Sequence, residues 1–145
     1  MGTRVRSHEE TKWMDWSNLK APSLDDLEAL ARDCFAGLPA EFRALVEDIG
    51  FVLQDFPDED TLKHLDLESE FDLLGLFHGS GLAARTANHG VVEPTMILLY
   101  RRPILDYWAD GDETLGDIVR HVLVHEIGHH FGLSDDDMHA IEAGA

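Results

Sequence analysis

The amino-acid sequence predicts an α+β domain: a small mixed β-sheet with helices packed on it and a functional motif on a long helix. Three observations carry this. Apolar residues recur at helical spacing from Leu24 to Leu38. Thr95 to Tyr100 is nearly all apolar, as a strand covered on both faces would be. A second helical stripe, Leu115, Ile118, Val119, Val122, Leu123, Ile127 and Phe131, runs through the histidine-rich segment. Helices, then strands, then helices is the α+β order, and 145 residues suffice for one core.

Residues 1–21 hold four of the eleven basic residues and little periodicity, and read as a flexible arm, with Trp13 and Trp16 available to dock it; the domain proper spans 22–145. Ser23 with Asp26 resembles a capping box that opens the first helix, and Cys34 falls on its apolar stripe as a core thiol. Pro39 suits the first turn of a second helix, with Phe42, Leu45, Val46 and Ile49 as its apolar face and Gly50 as its stop. Phe51 to Phe56 reads as a strand. Asp58, Glu59 and Asp60 cap a helical turn between Thr61 and Leu67. Phe71 to Phe77 is the next strand, followed by a turn at His78 to Gly81, a short strand at Leu82 to Arg85, and a loop at Thr86 to Pro94. Thr95 to Tyr100 is the strongest strand, ended by Arg101 to Pro103. A short helix follows within Ile104 to Gly111, then the long helix from Thr114 to Phe131. Ser134 and Asp137 have capping-box spacing and start a last helix.

The long helix ends in His125-Glu126-Ile127-Gly128-His129-His130-Phe131-Gly132-Leu133-Ser134-Asp135, or H-E-x-x-H-x-x-G-x-x-D. Histidines four apart share one helix face, so His125 and His129 can close on a single ion. Glu126 projects beside that ion, where it can take a proton from a bound water. Gly132 can adopt a left-handed conformation, end the helix and let the chain turn back to deliver Asp135. Two imidazoles, one carboxylate and an open fourth position are the donor set of a catalytic zinc site.

This extended motif resembles the zincin metallopeptidases, in the metzincin-type spacing with aspartate in place of the third histidine. The chain is most similar to a family of small bacterial zincin-like proteins with a minimal zincin fold. The resemblance rests on Leu73-Leu74-Gly75-Leu76-Phe77, Ile97-Leu98-Leu99-Tyr100-Arg101-Arg102-Pro103 and Val124 through Asp135, and covers Pro22 to the C-terminus. It implies Zn2+ as cofactor, peptide hydrolysis as activity, and the motif helix packed under the sheet.

His121 lies on the same stripe as His125 and His129. His121 and His129 are about 12 Å apart along a straight helix, whereas nitrogens on one zinc lie about 3–4 Å apart, so the three cannot converge on one ion. The pair 125/129 encloses Glu126, which leaves His121 as a neighbour. His130 points about 100° away from His129. For the third ligand Asp135 fits the spacing best, with Asp136, Asp137 and His139 close enough to compete. Glu142, the acid that follows, stands three residues from the end of the sequence, which favours Asp135. Metzincins place a methionine turn beneath the metal; Met138 follows Asp135 too closely for that and reads as core packing. Metal binding requires neutral histidines and weakens as pH falls.

Lys plus Arg number 11 against 29 Asp plus Glu, a net charge of −18. That charge argues against nucleic acid and anionic membranes as partners and favours cations, including basic peptides. Cys34 is the single cysteine, and no run of apolar residues reaches membrane-spanning length, so the expected location is the cytoplasm. Two functions stand against each other: a zinc metallopeptidase with Glu126 as general base, and a non-catalytic, metal-stabilised interaction module on the same fold.

Overall fold

A computed structural model describes residues 15–46, 48–79 and 95–144. The chain enters through a 3-10 turn at Trp16–Asn18 and continues into helix α1 (Leu24–Ala36), the short α2 (Ala40–Arg43) and strand β1 (Gly50–Gln54). Then come α3 (Glu59–His64), β2 (Gly75–His78), β3 (Met96–Tyr100), α4 (Arg101–Ala109), the motif helix α5 (Leu115–His130) and α6 (Asp135–Gly144). The expected short strand at Leu82 to Arg85 and the loop up to Pro94 lie outside the described residues, as does Trp13. Trp16 is 73% exposed and does not dock on the body.

The sheet has the order β1-β3-β2. β1 runs parallel to β3, with Phe51 opposite Ile97 and Leu53 opposite Leu99; β2 runs antiparallel to it, with Phe77 opposite Ile97. Side chains alternate across a strand, so Phe51, Leu53, Phe77, Ile97 and Leu99 share one face. Helix α1 covers that face at β1, α5 covers it at β2 and β3, and the two helices pack on each other. Ile97 and Leu99 are fully enclosed, as are Val119, Leu123, Val124 and Ile127 of α5. On the opposite face Val52, Leu76 and Leu98 are half-buried, while Tyr100 at the end of β3 is enclosed. β3 is therefore sealed along one side and only at Tyr100 on the other, and its apolar run reflects a central position between two partners.

Local chemistry sets the element boundaries. The Ser23 hydroxyl accepts from the Asp26 amide at 3.0 Å and the Asp26 carboxylate accepts from the Ser23 amide at 2.9 Å, completing the capping box. The second helix is shorter than its apolar pattern suggests. It stops at Arg43, Leu45 and Val46 continue as tight turns, and Asp48 takes a left-handed φ of 51° that breaks the helix. Gly50 does not end that helix. It opens β1, donating to the Thr95 carbonyl at 2.8 Å. Phe42 reaches the core from the short helix and Val46 from the turns after it. β2 starts four residues later than expected, because the Asp72 carboxylate and the Ser69 hydroxyl accept backbone amides and hold Ser69 to Asp72 in a turn. Helix α4 starts directly at Arg101. Pro103 sits in its first turn, where a missing amide costs nothing. Arg101 ties this junction down, donating from Nε to the Pro22 carbonyl at 2.6 Å and from Nη1 to the Asp55 carboxylate at 3.2 Å. Cys34 is half-buried rather than enclosed, against the Gly116 carbonyl at 3.6 Å, and burial raises its thiol pKa.

Candidate metal centre

Thr114 caps α5, its hydroxyl accepting from the Asp117 amide at 3.1 Å. One side of the helix is welded to the sheet and to α1. The other side carries His121, His125 and His129 at successive turns. The helix ends as its sequence predicts. Gly132 takes φ +74°, its amide donates to the His129 carbonyl at 3.1 Å, and the Leu133 amide donates to the Gly128 carbonyl at 2.9 Å. This pair of bonds is the Schellman closure, and it reverses the chain. Ser134 then caps α6, accepting from the Asp137 amide at 3.0 Å while the Asp137 carboxylate accepts from the Ser134 amide at 3.2 Å.

Helix α6 folds back along α5. Met138, fully buried, packs on Gly128, where a Cβ would stand 2.5 Å from its sulfur. Glu142 reaches His121 and His125. Rising numbers on α6 meet falling numbers on α5, so the pair is antiparallel, and the same register carries Asp135 toward the His129 end. Met138 is a packing residue, as its position implied.

Between the helices is an open cleft of about 700 Å³, walled by Asp117, His121, His125, Asp135, His139 and Glu142 among others. It is rich in carboxylates. Arg120 lies on it with Nη1 3.5 Å from the Asp117 carboxylate. Within the cleft, His121 Nδ1 is 3.0 Å from Glu142 Oε1 and His125 Nε2 is 3.1 Å from Glu142 Oε2. The two rings are tilted at 32° to each other, with centroids 3.8 Å apart. Candidate ligand atoms of these three residues all fall within 4.8 Å of one another.

The motif residues are placed as follows. His125 is half-buried at the centre of the stripe, and His129 is exposed on the last turn, its ring centroid 5.6 Å from that of His125. His129 is not among the residues lining the cleft, whereas Asp135, the first residue of α6 and exposed, is. The structure thus brings His125 together with His121 and Glu142, and does not gather His125, His129 and Asp135 to the same closeness. The donor chemistry nonetheless suits zinc: neighbouring imidazoles on a rigid helix, carboxylates opposite, and open solvent on the remaining side. His130 turns to the sheet, its ring 4.4 Å from that of Phe77. Glu126 is partly buried, and burial raises its carboxyl pKa while the nearby His129 acts in the opposite direction.

Glu142 is the residue that reading by spacing set aside. A signal for it exists: the Ser134/Asp137 box starts a helix at Asp135, and positions 135, 138 and 142 of that helix share a face. The face that buries Met138 thereby turns Glu142 toward the histidines.

A zincin-like metallopeptidase family model matches residues 46–145, well over half of the chain. The chain belongs to the zincin-like metallopeptidase family. The match spans the three strands of the described residues and the whole of α5 and α6, and the observed small mixed sheet with its helices is consistent with a zincin-like fold. No curated protein matches the chain. Membership supports zinc and peptidase chemistry at the level of the family.

Proposed function

We propose that this protein is a zinc-dependent peptidase, with His125, His129 and Asp135 holding the ion and Glu126 acting as general base. The observation that carries the reading is the placement of H-E-x-x-H on one solvent-facing side of α5 in a chain of zincin-like type. Zinc supplies Lewis acidity toward a carbonyl and toward water. The remaining work falls to the chain's own groups. The Glu126 carboxyl is raised by burial, which makes it a stronger proton acceptor than a solvated glutamate, and it returns the proton to the leaving amine. The Schellman turn at Gly132 reverses the chain ahead of Asp135, the residue this reading takes as third ligand. Among the described residues β2 is a sheet edge beside α5, and an extended peptide can pair along it by backbone hydrogen bonds. The carboxylate-lined cleft favours substrates with basic residues. The single half-buried cysteine fits work in the cytoplasm, and no helix among the described residues is long and apolar enough to cross a membrane.

A second reading, a metal-stabilised interaction module without hydrolysis, is favoured by one observation: the Glu142 carboxylate already engages the His125 nitrogen that would face an ion. Glu126→Gln separates the two. A peptidase keeps its zinc and loses turnover of a peptide library by at least about a hundredfold. Wild-type protein that holds zinc and cleaves nothing in that library supports the module instead.

A further inference from the structure

The antiparallel pairing of α5 and α6 lays out two donor sets, one helical turn apart, that share a residue. At the C-terminal end of α5 stand His125 and His129, with Asp135 brought toward them by the turn. One turn back stand His121 and His125, with Glu142 opposite. We propose that His121, His125 and Glu142 form a second seat for a divalent transition metal, distinct from the motif seat and mutually exclusive with it.

Three features of the geometry support this. The three side chains come from two helices fixed against each other by the buried Met138, so the seat is held by packing and not by flexible loops. The ring nitrogens His121 Nδ1 and His125 Nε2 already point at the two oxygens of one carboxylate, at 3.0 and 3.1 Å. Ligand atoms on one zinc lie about 3–4 Å apart at bond lengths of about 2 Å, so atoms all within 4.8 Å close on an ion by small rotamer changes alone. Two imidazoles and a carboxylate are a borderline-hard set that zinc, cobalt and nickel accept.

Exclusivity follows from His125. The nitrogen that faces Glu142 is Nε2, and one Nε2 serves one ion. An ion in the upstream seat stands about 6 Å along the helix from the motif seat, four residues at about 1.5 Å each. Glu126, next to His125 on the side of His129, is level with the motif seat and displaced from the upstream one. Metal in the upstream seat is therefore held without its base, as a resting position. This does not require that the chain hydrolyse peptides.

The test uses the full chain, with cobalt and zinc as probes. His129→Ala combined with Asp135→Ala removes the motif seat by changing two exposed residues that do not hold the core. This double variant is expected to take up one zinc per chain and to show a cobalt ligand-field spectrum. Adding Glu142→Gln or His121→Ala should weaken that uptake at least about tenfold. The complementary variant, His121→Ala with Glu142→Gln, should keep one zinc through His125 and His129, with a cobalt spectrum of different shape. A His129→Ala/Asp135→Ala protein that takes up neither metal overturns the second seat, as does uptake that Glu142→Gln and His121→Ala leave unchanged. Loss of zinc from the complementary variant alone counts against the motif seat while leaving the upstream one standing, so the two ideas fail separately.

Discussion

The two sides of helix α5 are built from the same sixteen residues and obey different rules. On the sheet side Val119, Leu123, Val124 and Ile127 are fully enclosed, and there the helix packs on β2, β3 and α1. On the other side three histidines stand at successive turns, two of them, His121 and His125, in an open cleft, and what faces those two is decided by one short helix, α6. The difference teaches that the residues that hold the fold and the candidate metal donors are separate here. The sheet side anchors the helix. The cleft side is free to offer donors, because nothing in the core depends on them.

Substitutions on the two sides should therefore differ sharply. Leu123→Ala leaves a cavity between helix and sheet, and should destabilise the metal-free protein by about 2–5 kcal/mol in a chemical denaturation experiment. Gly128→Ala tests the seam between the sides. Its methyl would collide with the buried Met138, so a loss of about 1–3 kcal/mol is expected. Zinc affinity should fall with it, because α6 must shift to make room.

Acid should act on the scaffold through its caps. The Asp26 carboxyl is held below its ordinary value by hydrogen bonding from the Ser23 backbone and side chain, and the Asp58 carboxyl by the Thr61 side chain and backbone. Both carboxylates support the fold above the unfolded aspartate value of about 3.9 and lose that contribution as pH falls through their lower folded values. Asp26→Asn and Asp58→Asn should flatten the acid limb of a stability-versus-pH curve by lowering stability near neutrality, and change little at the strongly acid end, where the wild-type carboxyls are protonated too. An unchanged acid limb would place the acid sensitivity elsewhere. The smallest effect belongs to the cleft side: His129→Ala should leave metal-free stability within about 0.5 kcal/mol of wild type. A loss as large as that of Leu123→Ala would erase the distinction between the two sides.

Much of this was legible in the sequence, and unevenly so. The sheet side of α5 is legible because burial forces a repeating apolar pattern, and the caps at Ser23 and Ser134 because orphaned backbone amides demand particular side chains at particular offsets. Gly132 is legible because few other residues tolerate its φ. The end of the second helix was not, since Phe42 and Val46 reach the core from turns as well as from a helix, and a left-handed Asp48 leaves no pattern. The role of Glu142 was obscured for a different reason. Spacing along one helix says which histidines share a face, but which carboxylate meets them depends on how α6 is laid across α5. That is settled by Met138 on Gly128, a contact between residues ten positions apart with no periodic signature.

The account turns on His125, the residue that both metal seats need. The most direct measurement is the zinc content of wild type and His125→Ala by elemental analysis, after equilibration with excess zinc and removal of unbound metal. The account predicts one zinc per chain in wild type, because the seats exclude each other, and none in the variant. Wild-type protein that takes up no zinc, or a His125→Ala protein that holds as much as wild type, would contradict it.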